Sequence, residues 1–409
     1  MDKLYVGVDV SSENNVVHIM LPDGSKHSNF SVPNSRTGTK ELIKRILSAL
    51  NSYNLSEVSI GLEATSIYGD GLVYQLREDG SLSSFTKHIH VLNPKQVNKF
   101  KESYNDLPKT DDIDAFVIAD CLRFGRINQE VYMSDYRYKA LQNLTRARYY
   151  AVNDLTREKQ RFINLLFKKY SSLTQEKVFS DTFSATALAV YEEFDSAEQL
   201  AYMDLQELTS FIQEKGKNRF SDPDEVAHAI QKAAKSSYRL PKTINDSVNQ
   251  VLSISISSMR AMKARIKALD KAISDQMDLI PNTLRSIPGI GAVYSAGIIA
   301  EIGDINRFKN QAALAKYAGL AWKRHQSGPF DAEHTPLIQS GNRFLKYYLC
   351  EGAWSVVSYD AEYRRFYEKK YKEVNRTQHK RALALTARKF ARLVYCMLKT
   401  NRLYISQGR

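Results

Sequence analysis

The sequence predicts an α/β domain followed by a longer, wholly helical region. Two observations carry this. Residues 4–93 alternate short β-branched apolar runs with helically spaced stretches, whereas beyond about residue 130 only helical spacing remains. A third observation concerns the partner: 58 Lys and Arg against 45 Asp and Glu leave a formal net charge of +13. That field favours a polyanion, nucleic acid first.

The elements follow in order. LYVGVDV and NVVHIML read as strands separated by SSEN, and LPDGSKH supplies a turn before NFSV, giving three antiparallel strands. TGTKELIKRILSAL has a helical face in Leu42, Ile43, Ile46, Leu47 and Leu50. EVSIGLE is a buried strand, IYGDGLVYQLRE a helix, KHIHVLN a strand, and PKTDDIDAFVIADCLRFGR a helix. Three strands, helix, strand, helix, strand, helix is the order of a ribonuclease-H-like (RuvC-like) α/β domain, expected over residues 1–130.

Residues 131–282 are expected to form a helical, coiled-coil linker and dimerisation region. Leu141, Leu155 and Phe162 lie on one row, and Leu144, Ala151 and Leu165 on another, with Arg148 and Glu158 interrupting. Val248, Leu252, Met259, Met262, Ile266, Leu269, Ile273 and Ile280 form a second seam with gaps at Ser255 and Gln276. Residues 171–240 between them are polar and helical in tone and show no readable chemistry. Residues 283–409 read as a basic helical domain. The three cysteines, Cys121, Cys350 and Cys396, suit reduced thiols and make neither a disulfide framework nor a zinc site. The start, MDKLYVGVDVSS, lacks a signal-peptide pattern, and no apolar run approaches the roughly 20 residues of a membrane span. A cytoplasmic, nucleoid-associated protein without a membrane partner is expected.

Four carboxylates are candidates for chemistry. Asp9 sits among apolar residues of the first strand and Glu63 ends a buried strand. Each is costly to bury unless paired or bound to a cation. Asp111 and Asp114 lie at i and i+3 in a first helical turn and share a face. Acids there also offset the helix dipole, which suffices to explain Asp112 on another face. Packed on the sheet, the shared face would complete a cluster of hard oxygen donors suited to Mg²⁺ or Mn²⁺.

Three further segments are basic or glycine-rich. SIPGIGAVYSAGIIAEIG has the pattern of a helix-hairpin-helix, with Pro288, Gly289 and Gly291 bringing backbone amides to a phosphate. In GLAWKRHQSGPFDAEHTPLIQSGNRFLKYYL, Ser327 follows Lys323, Arg324 and His325. On residues alone, Ser-Gly in a basic loop is just a loop. Ser340 competes with it, although Ser340–Asn342 read as the cap of the next helix, which opens with Arg343. HKRALALTARKFARLVYCMLK displays Lys380, Arg381, Arg388, Lys389 and Arg392 beside an apolar stripe, as a phosphate-covering or simply solvated face.

Taken together, VGVDVSS, GLEATSIYGDGLVYQL, LNPKQVNKFKES…KTDDIDAFVIADCL and LRSIPGIGAVYSAGIIAEIGDINRFKNQAALAKYAGL…SGNRFLKYYL resemble the DEDD-type transposases of bacterial insertion sequences, relatives of the Piv-type DNA invertases and described as bridge-RNA-guided recombinases. The resemblance covers nearly the whole chain. It implies a RuvC-like domain whose tetrad is Asp9, Glu63, Asp111 and Asp114, with Mg²⁺ (or Mn²⁺) as cofactor. It also implies a helical transposase domain whose catalytic serine, in an SG loop after YAGL, is Ser327. The implied reaction passes through a covalent phosphoserine. The implied partners are double-stranded donor and target DNA, a structured guide RNA, and further copies of the chain forming a dimer of dimers with shared active sites. The chain departs from the family pattern after Ser327, where GPFDAEHTPLIQSGN is less basic than the expected spacer.

Other readings compete. A two-metal Holliday-junction nuclease or a DNA invertase without a covalent serine would use the same tetrad. A sugar kinase would need glycine after the strand aspartate, where this chain has Val10-Ser11-Ser12. A non-catalytic RNA-binding protein would not need Asp9.

Overall fold

The computed structural model describes residues 2–64, 67–104, 107–108, 110–125, 136–176, 178–322, 326–327, 330–331 and 336–405, with side chains not described at 326–327 and 330–331. The chain forms two compact units, Met1–Met133 and Ser134–Arg409. Among the described residues no helix is long and apolar enough to cross a membrane.

The first unit is a five-stranded mixed sheet with helices on both faces. Its strands are β1 (Lys3–Val10), β2 (Asn14–Met20), β3 (Lys26–Pro33), β4 (Glu57–Glu63) and β5 (Thr86–Leu92), in spatial order 3-2-1-4-5. β1–β2 and β2–β3 pair antiparallel, while β1–β4 and β4–β5 pair parallel. Helices α1 (Arg36–Ser52) and α2 (Tyr68–Glu78) bury Leu42, Ile46, Leu50, Leu72 and Leu76 against Leu4, Val6 and Val8. The opposite face of β1 carries Tyr5, Gly7 and Asp9, because strand side chains alternate.

One helix of this unit was not anticipated from the sequence. Between β5 and the acidic helix lies α3 (Pro94–Lys101), capped by Asn93, whose side chain accepts from the Lys95 amide, with Pro at the first helical position. Asn-Pro is a readable start signal. At eight residues, with Val97 as its one buried residue, the helix lacks a periodic apolar stripe. The acidic helix, α4 (Asp111–Arg123), follows. Its N-cap Thr110 accepts from the Ile113 amide, and Ala115, Val117, Ile118, Ala119 and Leu122 are buried.

α4 lies unusually close to the sheet, and two glycines permit it. Gly7 and Gly61 are partners in the β1–β4 register. A Cβ on Gly7 would stand 2.0 Å from the Ala115 carbonyl oxygen, and one on Gly61 would stand 2.9 Å from Leu122 Cδ1. The helix backbone at Gly7, and the Leu122 side chain at Gly61, therefore occupy the space that a side chain there would fill.

The second unit is helical and is organised by one long antiparallel pair, α5 (Tyr136–Lys169) and α11 (Lys242–Met277). Arg148 pairs with Asp270, and Ser255 Oγ donates to Glu158 Oε1 at 2.5 Å. Three of the residues that interrupt the apolar rows, Arg148, Glu158 and Ser255, are thus polar rungs between the two helices. Two cores sit at the ends of this pair. At one end Phe162, Leu166, Tyr170, Leu252 and Met259 pack with α6 (Ser171–Gln175), α7 (Ala185–Glu193), α8 (Ala197–Tyr202), α9 (Leu205–Gly216) and α10 (Pro223–Ser236). Residues 171–240 looked polar because these helices are short and each offers only a few apolar residues. Pooled around Tyr170 and Tyr191, those residues make a complete core.

At the other end Leu141, Ile273 and Met277 join α12 (Ala292–Ile302), α13 (Gln311–Tyr317), α14 (Arg343–Tyr359), α15 (Ala361–Lys372) and α16 (Gln378–Thr400). Glu301 of α12 is fully buried there and completely matched. Arg146 meets it with two contacts at 2.7 and 2.9 Å, Gln142 Nε2 donates at 3.2 Å and Asn342 Nδ2 at 2.7 Å. Asn342 in turn caps α14 by accepting from the Phe344 and Leu345 amides, as its sequence position suggested.

Two outcomes test this account. Gly7→Ala should destabilise the first unit by about 2 kcal/mol or more, since α4 cannot retreat without opening its core; urea denaturation followed by far-UV circular dichroism reads this. Arg146→Ala should cost about 3–5 kcal/mol by leaving Glu301 charged and buried, and Glu301→Gln in that background should recover part of the loss in the same denaturation assay.

Candidate active site

The register of the sheet creates the site. With Val8 opposite Leu62, the next residues, Asp9 and Glu63, leave β1 and β4 side by side, on the face where Gly7 and Gly61 admit α4. The capped first turn of α4 then carries Asp111 and Asp114 toward the same end of the sheet. The electrostatics record the convergence. Burial pushes the Asp9 carboxyl above the ordinary aspartate value, and Asp111 and Asp114 push it further. Burial likewise raises Glu63, with Asp9 and Asp114 adding to it. The tetrad read from the sequence is thus one electrostatic cluster, with Asp9, Glu63 and Asp114 at its centre. Asp111 is exposed at the edge.

Sequence reasoning missed the cation in this cluster. Lys101, the last residue of α3, places Nζ 2.6 Å from Asp114 Oδ1 and opposes the upward shifts of both Asp9 and Glu63. It also lines a cavity of about 400 Å³ with Glu63, Val97, Asn98, Leu107, Asp114 and Ile118. The readable signal was a lysine ending an Asn-Pro-capped helix just before the acidic turn.

The donor set fits a hard divalent cation: every candidate ligand is a carboxylate oxygen, and a positive charge already lies on one of them. Among the described residues no three carboxylates enclose a common ion position as they stand. Asp112 is exposed and acts electrostatically on His18, apart from the cluster. Asp120, one helical turn and more beyond Asp114, is buried and held by Tyr104 and Arg123, a structural role.

In the second unit the Ser327 segment leaves and re-enters the helical core through a tight neck. The Ile338 amide donates to the Ala321 carbonyl at 2.9 Å, and Trp322 bridges to Leu337. Gly319 (φ +72°) and Gly341 (φ +134°) cross so closely that a Cβ on Gly341 would stand 2.5 Å from the Gly319 nitrogen. Beyond the neck, Gln326–Ser327 (β6) pairs antiparallel with Phe330–Asp331 (β7). Lys323, Arg324 and His325 lie outside the described residues, as does the side chain of Ser327. Ser340 belongs to the neck.

The remaining candidates are placed as follows. Gly289 (φ +85°) packs under α14, where Ser355 Oγ donates to its carbonyl at 2.7 Å, so its glycine character has a packing reason. Gly291 is exposed at the N-terminus of α12, and a Cβ there would meet nothing within 4 Å. Pro288 lies in the turn before it, after a single 3₁₀ turn, Leu284–Ser286. Arg343 is exposed, stacks on Phe344 and donates to the Tyr150 hydroxyl at 2.6 Å. Arg388 reaches the Leu320 carbonyl at 3.3 Å and lies over Trp322, bracing the neck.

Comparison with known proteins agrees with these two regions. A model of IS110-type DEDD transposases, described as Transposase, matches residues 6–170, and one described as Transposase IS116/IS110/IS902 family matches residues 282–368. The chain carries transposase domains of the IS110/IS116/IS902 type. Relatives include the Streptomyces clavuligerus "Insertion element IS116 uncharacterized 44.8 kDa protein", 27% identical over 76% of each chain. The Streptomyces coelicolor "Insertion element IS110 uncharacterized 43.6 kDa protein" is 23% identical over 99% of this chain and 96% of its own. The "Pilin gene-inverting protein" of Moraxella lacunata is 23% identical over 98% of each. Among solved structures, Thermus thermophilus RuvC in complex with a Holliday junction substrate aligns at 13% identity over 31% of this chain and 98% of its own, with a TM-score of 0.23. Transposase domains of this type imply cleavage and rejoining of DNA, and a DEDD transposase implies a divalent metal.

The raised carboxyls carry a sign. An acid whose pKa rises on folding binds its proton more tightly in the native state. Stability therefore falls as pH climbs from the unfolded value through the folded one, and stays lost at neutral pH. Asp9→Asn should accordingly melt about 2–4 °C above wild type in EDTA at pH 7. That advantage should shrink as pH falls toward the ordinary aspartate value of about 4, where the carboxyl increasingly takes up its own proton. Calorimetry at the two pH values measures it.

Proposed function

We propose that this protein breaks and rejoins DNA through Ser327, assisted by a divalent cation held by Asp9, Glu63, Asp111 and Asp114. The observation that carries the reading is the cluster at the strand ends, where burial first and carboxylate neighbours second raise Asp9 and Glu63. Buried like charges at that density are not a stabilising arrangement, and they suit a bound cation. Mg²⁺ or Mn²⁺ there would supply positive charge to the phosphodiester oxygens in the transition state.

This chain's own residues would do the rest. The Ser327 hydroxyl attacks a backbone phosphorus, a phosphoserine ester forms, and one deoxyribose hydroxyl leaves with the proton that the serine gives up. Attack by a hydroxyl of the second strand returns the serine. The neck of Gly319, Gly341 and Asn342 aims the hairpin, and Arg388 braces its base. Lys323, Arg324 and Arg343 would neutralise phosphates, and the open N-terminus of α12 at Gly291, preceded by Pro288 and Gly289, would bind one in the manner of a helix-hairpin-helix. The α/β unit is read as RuvC-like from its element order. Sequence choice is assigned to a structured guide RNA pairing with donor and target, and the α5–α11 pair to assembly of copies as a coiled coil.

A second reading has an observation in its favour: full-length similarity to pilin gene-inverting proteins suits DNA inversion, which needs the same strand chemistry. Incubation with end-labelled donor DNA and Mg²⁺ should trap labelled DNA on the protein in a denaturing gel. The adduct should vanish in Ser327→Ala and persist in Ser340→Ala. Cleavage without any adduct would instead make the chain a two-metal nuclease.

A further inference from the structure

The Lys101 ammonium sits on Asp114, where a metal reading would put a cation. Lys101 Nζ contacts Asp114 Oδ1 at 2.6 Å and, among the described residues, counteracts the shifts of Asp9 and Glu63 alike. The Lys101 side chain is 19% exposed and that of Asp114 33%, so the pair is largely withdrawn from solvent and stronger than a surface ion pair. Lys101 is the last residue of a short helix, so its position rests on few contacts beyond Asp114. The cavity of about 400 Å³ beside it gives the side chain room to leave.

We propose that Lys101 is a resident counter-ion, occupying the cation position on Asp114 until a divalent ion displaces it into the adjoining cavity. The inference rests on the metal reading above and deepens it. Lys101 is a positioning residue: it keeps the acidic cluster folded before loading and sets metal affinity by competition. That no three carboxylates among the described residues yet enclose a common ion position is in keeping, because Asp114 Oδ1 is engaged by the Lys101 ammonium, which donates to it at 2.6 Å.

Mn²⁺ binding to the full chain, read by electron paramagnetic resonance of free Mn²⁺, tests this without recourse to activity. Lys101→Met keeps the apolar stem and should bind Mn²⁺ about tenfold more tightly than wild type. In EDTA it should melt below wild type, and saturating Mn²⁺ should erase that difference. Lys101→Arg, which keeps the charge, should bind no more tightly than wild type, and far-UV circular dichroism of each variant should match wild type. Equal or weaker Mn²⁺ affinity in Lys101→Met would overturn the counter-ion role alone. No Mn²⁺ binding by wild type, or binding undiminished in Asp9→Asn, would overturn the metal reading and this inference with it.

Discussion

A carboxylate taken out of water has to be matched, and this constraint organises both halves of the molecule. Glu301 shows the constraint met. Arg146, Gln142 and Asn342 together engage both of its oxygens, so the charge fixes four helices, α5, α12, α13 (through Tyr317, which contacts Asn342) and α14, without residual reactivity. Asp9, Glu63 and Asp114 are gathered more closely. Burial and their mutual repulsion leave Asp9 and Glu63 raised, although Lys101 opposes both shifts. Burial alone would have flagged Glu301 as the more unusual acid; its full set of partners marks it as a structural charge.

The cluster exists because α4 lies close against the sheet. Gly7 and Gly61 face each other across β1 and β4 and let α4 approach to contact distance. Strand alternation then puts Asp9 and Glu63, two residues on, under the first turn of that helix. The Thr110 cap fixes where the turn begins. Side chains placed by strand ends and a capped helix have little freedom, which a site needing positions held within about half an ångström requires. In the second unit the same economy operates at the neck of the Ser327 hairpin, where Gly319 and Gly341 cross and Asn342 links the neck to Glu301.

Much of this was legible in the residues. Apolar strands carrying a lone acid, and acids at i and i+3 beginning a helix, identified all four carboxylates, and the element order of the first unit followed from alternation and spacing. Asn342 was readable as a cap. What escaped were features without periodicity. α3 is too short to show an amphipathic stripe, and with it Lys101 was lost, since a lysine in a basic chain carries no signal of its own. The core of residues 171–240 escaped because it is assembled from several short helices, each nearly polar alone. Arg148, Glu158 and Ser255 read as defects in apolar rows because their partners, Asp270 in one case and each other in the second, lie about a hundred residues away.

The charge balance of the chain gives the cluster its place on the proposed reading. A surface with a net +13 draws a polyanion from any direction, yet the reacting phosphate must come to the one region where negative charge is concentrated. Lysine and metal resolve this in different ways. An ammonium gives one charge and hydrogen bonds but cannot bridge several carboxylates and a phosphate at once, whereas a divalent ion coordinates both. On the proposed reading, Lys101 compensates the site enough for it to fold, and exchange of the ammonium for a divalent ion would make it positive enough to admit DNA.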